Sequence, residues 1–240
     1  MKKINFVISL NANYIYHMLS ISKCGYINMY RTKYKNLHRQ DDLNKLFFNK
    51  HLLSVADGKK LGTLYKLITN PILSDEQDIV SYYSILYELF STYDIKENFN
   101  KYYEINHLFF DGMSHFDLYK EYQRYKNEIS AISKVMIENF EIYKQKVWPD
   151  TQKEIQKVIN SLNKIFTRRD YIDEWEKLLK VNYEDDFYAY LCNAISNGPQ
   201  GIAFANNKVL FSSTEYEDHL CNLISHELGL AMLKKVIKDY

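Results

Sequence analysis

The sequence predicts an α+β fold that is mainly α: a helical body with a small carboxy-terminal strand–hairpin–helix unit. Three observations lead there. Among 240 residues only 7 are Gly and 3 are Pro, too few for the many tight turns of an all-β sandwich or barrel. One apolar stripe advances by threes and fours from Leu118 to Val147, the pattern of a single long amphipathic helix. After about Val181 the pattern shifts to short β-rich runs broken by Asn and Gly.

Each element follows in order. Ile4, Phe6 and Ile8 alternate with Asn5, Val7 and Ser9, which predicts a short first strand. The start Met1-Lys2-Lys3 before Ile4–Leu10 mimics a secretory leader, but Asn11 and Asn13 interrupt the apolar run, so the strand is the expectation. A helix through Tyr14–Ser22 would end at Gly25. Asp41-Asp42 before Leu43, Leu46 and Phe47 places acidic residues at the positive end of another helix. Asp57-Gly58 and Gly62 mark breaks. Ser74 with Gln77 forms a capping-box pattern ahead of Ile79, Tyr82, Tyr83, Leu86, Leu89 and Phe90, a helical spacing.

The long helix is expected to run from about Phe116 to Val147 as a packed spine, and to stop at Trp148-Pro149. Thr151 with Glu154 would cap a further helix, and a short one would cover Tyr171–Leu179. Phe187–Cys192 reads as a strand. Asn197-Gly198-Pro199 reads as a turn. Gly201–Ala205 and Lys208–Phe211 flank Asn206-Asn207 as a hairpin. Ser212 with Glu215, or Thr214 with Glu217, would cap the last helix. Two regions are expected, residues 1–180 and 181–240, packed as one compact structural unit.

Composition narrows function. The 46% hydrophobic and 25% charged content is that of a globular chain. Seven scattered glycines form no G-x-G-x-x-G or Walker-type loop. There is no G-x-S-x-G elbow. Cys24, Cys192 and Cys221 form neither a disulfide framework nor a metal-ligand spacing, which fits a reducing, cytoplasmic setting. No stretch reaches the roughly 18 apolar residues of a membrane span. The net charge is +1, yet residues 1–60 carry +8 and the remainder −7. Within that basic quarter Tyr30, Arg31, Lys33, Tyr34, Lys35 and Arg39 interleave aromatics with bases, a pattern that could stack and hold single-stranded nucleic acid.

The last helix carries Ser225-His226-Glu227-Leu228-Gly229-Leu230. A strand at Lys208–Phe211, a helix start, then His-Glu a few turns in resembles the unit of the zincin zinc metallopeptidases. The resemblance covers about residues 187–235. In the pattern H-E-x-x-H two His at i and i+4 hold zinc from one helix face, and the Glu activates the bound water. The resemblance makes His226 the first zinc ligand and Glu227 the general base. Leu230 stands where the second His belongs. His219 lies about 10.5 Å back along the axis, too far to share a metal with His226. His17, His38, His51, His107 and His115 could approach only through the tertiary fold.

The expectation is therefore a zincin-related chain with an incomplete metal site and little or no peptidase activity. Zinc is the cofactor it would hold, and a peptide or protein its partner. On the alternative reading, Glu227 lies in the apolar stripe of Leu220, Leu223, Leu230 and Ala231, paired with Arg168, Arg169, a Lys or a Tyr. The protein would then be a non-enzymatic helical interaction protein. Nucleic-acid binding through Tyr26–Arg39 is a third expectation.

Overall fold

A computed structural model describes residues 3–22, 29–47, 67–73, 78–91, 115–195, 201–205 and 207–238. Cys24, the breaks at Asp57-Gly58 and Gly62, the Ser74–Gln77 pattern and the Asn197-Gly198-Pro199 turn lie outside these residues. The protein is mainly helical with one four-stranded sheet. In chain order the elements are β1 (Ile4–Val7), α1 (Leu10–Ile21), α2 (Met29–Tyr34), α3 (Gln40–Phe47), a 3-10 turn at Asn70–Leu73, α4 (Ile79–Ser91) and α5 (His115–Lys146). There follow α6 (Trp148–Arg168), α7 (Tyr171–Leu179), β2 (Phe187–Cys192), a 3-10 turn at Asn193–Ile195, β3 (Ile202–Ala205), β4 (Lys208–Ser212) and α8 (Glu217–Lys238).

The chain divides into two units, residues 1–13 with 147–240, and residues 14–146. The expected break at residue 180 falls between α7 and β2. The structure instead groups α6 and α7 with the strands, because their apolar faces share one core with the sheet.

In the first unit the sheet order is β1-β2-β4-β3. β1 and β4 run parallel to β2, while β3 pairs antiparallel with β4. The parallel partner of β1 thus lies about 180 residues away in sequence, with Ile4 opposite Phe187. Period two sends Phe187, Ala189, Leu191, Val209 and Phe211 into a core shared with α6, α7 and α8, and Ile4, Phe6 and Ile8 pack against it. Asn13 ties the end of β2: its Nδ2 donates to the Leu191 carbonyl at 2.9 Å, and its Oδ1 accepts from the Asn193 amide at 3.3 Å.

Two helix starts differ from expectation. Trp148 and Pro149 open α6 rather than merely ending α5. Pro is accepted in a first turn because the N–H it lacks would have no helical partner there. Thr151 is consequently buried inside the helix, and no side chain caps α6 at Val147. α8 begins at Glu217 without the expected box. Ser212 Oγ instead accepts from the Thr214 amide at 3.3 Å, a local turn. Asp170, by contrast, caps α7 by accepting from the Asp173 amide at 3.0 Å.

The second unit is built on α5. Its expected stripe is buried at Ile129, Ile132, Met136, Phe140 and Tyr143. α3 and α4 pack along it. Tyr82 and Tyr83 of α4 are buried, and their hydroxyls donate to the Leu67 and Ile68 carbonyls. Among the described residues no helix is long and apolar enough to cross a membrane.

Candidate functional site

The buried face of α8 is formed by Leu220, Cys221, Ile224, Leu228, Ala231 and Met232. This is rotated from the expected stripe of Leu220, Leu223, Leu230 and Ala231, so Glu227 sits on the flank of the core and is half-buried. His226 is exposed. At about 100° per residue it stands opposite the centre of the buried face.

The remaining members of the motif have packing partners. Trp175 of α7 lays its indole across the helix, and its Nε1 donates to Ser225 Oγ at 3.1 Å. The ring lies directly over Gly229, where an added Cβ would come within 2.6 Å of Cζ2. Gly229 is thus required by close approach. Real Cβ contacts are not that short, and an indole packed against the core and hydrogen-bonded at Nε1 has little room to shift. Ser225 and Gly229, four residues apart on one face, together form the seat of Trp175. Leu228 is fully buried. The Glu227 stem lies on Gly201 at the start of β3, where a Cβ would meet Glu227 Cγ at 2.8 Å and Val209 Cγ1 at 2.6 Å. The hairpin therefore does lie beside the helix, and the carboxylate stem is laid across it.

These residues do not fit a zincin zinc. A catalytic zinc needs three protein donors. His226 points outward and Leu230 four residues on is aliphatic. Among the described residues no three or more His, Cys, Asp or Glu side chains converge on a common metal position. Neither Arg168 nor Arg169 is shown as the partner of Glu227. Arg169 forms a bidentate pair with Glu174 at 2.8 Å. Its pKa is raised above the ordinary arginine value, first by that hydrogen bond.

The basic segment is also placed. Lys33, Lys35 and Arg39 are exposed, and Lys33 Nζ lies 4.8 Å from the Tyr34 ring centre. Tyr30 and Tyr34 turn inward. Both rings stand edge-on to the His17 imidazole with centroids 5.6 Å away. Arg31 is half-buried. The two aromatics expected to stack on bases are thus engaged with a buried histidine.

That histidine belongs to a chain of hydrogen bonds that sequence reasoning missed. Tyr30 Oη is 2.7 Å from His17 Nδ1, the Nε2 atoms of His17 and His38 are 2.9 Å apart, and His38 Nδ1 is 2.7 Å from Asn139 Oδ1. Asn139 Nδ2 donates to the Val135 carbonyl at 2.8 Å. This last bond orients the chain. Asn139 Oδ1 must accept, so His38 Nδ1 carries a proton. A neutral His38 then accepts at Nε2, so His17 Nε2 donates. His17 Nδ1 is left to accept from the Tyr30 hydroxyl. Each imidazole is neutral and each has one tautomer. Burial holds the pKa of His17 well below the ordinary histidine value, with His38 adding to the effect. Burial also lowers His38, opposed by its Asn139 bond and by Asp42, and assisted by Lys146. No linear signal joins positions 17, 30, 38 and 139, since the chain exists only once α1, α2 and α5 meet.

Neither described cysteine, Cys192 or Cys221, is an activated thiol. Burial pushes the Cys192 thiol up to about 12 and also raises Cys221. A cleft of about 410 Å³ opens beside β1, lined among others by Lys3, Phe6, Phe166, Arg169 and Tyr171. Neither His226 nor Glu227 borders it. No family model, curated protein or solved structure matches this chain.

Proposed function

We propose that the chain is a non-catalytic interaction protein in which Ser225–Leu230 is a packing element. One observation carries this reading: each inward residue of the motif has a structural partner, and the one imidazole is turned to solvent. Ser225 and Gly229 seat Trp175, Leu228 fills the core, and Glu227 rests on Gly201. A histidine directed away from the hairpin cannot share a metal with a group lying on it. Purified protein is expected to retain no stoichiometric zinc through dialysis and to cleave no peptide. Stoichiometric zinc together with peptide cleavage that Glu227→Gln abolishes would overturn the reading.

A second reading, a zincin scaffold that has lost its metal, is favoured by the strand–hairpin–helix order and by Glu227 lying over the hairpin. It predicts that Leu230→His gains tightly held zinc. On the packing reading that variant gains only the weak, chelator-labile binding of an exposed i, i+4 histidine pair.

A further inference from the structure

The hydrogens of the histidine chain all run one way. Tyr30 Oη donates to His17 Nδ1 at 2.7 Å, His17 Nε2 to His38 Nε2 at 2.9 Å, and His38 Nδ1 to Asn139 Oδ1 at 2.7 Å. One extra proton can enter without breaking a link. It binds His17 Nδ1, the N–H bond at His17 Nε2 breaks, and one forms at His38 Nε2. His38, now a cation, donates to His17 Nε2. His17 Nδ1–H donates to Tyr30 Oη, since a phenol oxygen accepts as well as donates. A second proton has no such place. Both Nε2 atoms would carry hydrogen, setting two donors and two like charges 2.9 Å apart with no acceptor between them.

The contact at risk holds α2. No residue of α2 is buried, and six residues are too few for a helix to stand alone. The rings of Tyr30 and Tyr34 lie 4.7 Å apart, and both rest on the His17 ring. His38 lies in the segment that joins α2 to α3. His17 is thus the seat of α2, and His38 ties down its exit.

We propose that the two histidines are a two-proton latch on α2: the chain shares the first proton with α2 docked, and the second parts His17 from His38 and releases α2. Among the described residues, Tyr30 and Tyr34 of α2, Tyr143 and Lys146 of α5 and Asp42 of α3 face the pair. Asp42, with Arg39 3.7 Å away, favours a charge on His38, and Lys146 opposes it. The first charge therefore rests on His38 rather than on the fully buried His17. Both imidazoles bind protons less readily in the folded chain than in the unfolded one, so release is favoured as the pH falls and reverses as it rises.

The test is nitrogen-15 NMR of the imidazoles in the full chain, titrated from about pH 8 to 4, with amide exchange corrected for its intrinsic rate. Two steps are expected, separated by more than about one pH unit. At the first, His17 changes from the Nε2–H to the Nδ1–H tautomer. At the second, the amides of residues 29–34 exchange at least about tenfold faster while those of α5 stay protected. In His38→Gln the Gln carbonyl accepts from His17 Nε2–H, so a cationic His17 keeps both bonds and the acid release of α2 is expected to vanish. The wild-type titration stands without that variant. Independent titration of the two rings, a His17 tautomer unchanged at the first step, α2 and α5 opening together, or release persisting in a folded His38→Gln would each overturn the proposal. Neither zinc nor peptide cleavage enters these readouts, so the latch and the role of Ser225–Leu230 fail or survive separately.

Discussion

At the residue scale, Gly229 and His226 illustrate how one short motif separates into two roles. Gly229 is fixed by the indole of Trp175, where a Cβ would approach to 2.6 Å. Gly229→Ala is expected to destabilise by about 1–3 kcal/mol, the cost of overpacking, read as a shift of the urea midpoint. Leu228→Ala, which empties a fully buried site, should cost about 2–5 kcal/mol. His226→Ala should fall within about 0.5 kcal/mol of the unaltered protein, as exposed sites do. The letters Ser-His-Glu-Leu-Gly were legible as a pattern, but their meaning was not. What separates a ligand from a surface residue here is the rotation of the helix about its axis, and that is set by Trp175 and the strands. Cys192 gives a further check. With its thiol pushed up to about 12 by burial, it should remain unlabelled by a thiol reagent at neutral pH in folded protein, as mapped by mass spectrometry.

At the scale of elements, the histidine chain joins α1, α2 and α5 through groups with no charge of their own. Both imidazoles bind a proton less readily in the folded chain than in the unfolded one. Below about pH 6.5 the unfolded chain therefore takes up more protons. The stabilisation is complete above that pH and is lost as the pH falls toward the depressed folded values. Asp42 and Lys146 act on His38 in opposite senses and moderate this without reversing it. Urea midpoints should drop between pH 7.5 and 5.5 in the wild-type chain, and less so once His17 and His38 are both replaced by Gln; a flat wild-type profile would contradict the neutral assignment. Asn13→Ala removes partners from the Leu191 carbonyl and the Asn193 amide, and is expected to cost about 1–3 kcal/mol for the buried groups left unpaired. Most elements were legible because their signals are local. Tyr171–Leu179, the 79–91 helix and the hairpin strands announce themselves by period and flanking residues. The starts of α6 and α8 were misplaced because a capping box written in sequence competes with tertiary burial, and Thr151 is drawn into the core.

At the scale of the whole molecule, the chain leaves its first unit after Asn13 and returns to it only at Val147, and it rejoins the sheet only at Phe187. Parallel pairing of β1 with β2 spans so much sequence that no local pattern could reveal it. For the same reason α6 and α7 read as part of a helical body, although their apolar faces belong to the sheet. Deleting residues 1–8 should remove one of the two strand partners of β2 together with Ile4, Phe6 and Ile8 from the edge of the core, leaving a protein that aggregates or unfolds without cooperativity; a soluble, cooperatively folding truncation would show β1 to be dispensable. The central proposition is that the closing helix is held by Trp175 and the core and owes nothing to a metal. It is tested most directly by thermal unfolding of the full chain with and without a strong chelator, alongside His226→Ala and Gly229→Ala. The account predicts that chelator and His226→Ala leave the midpoint where it is, while Gly229→Ala lowers it. A midpoint lowered alike by chelator and by His226→Ala would contradict it.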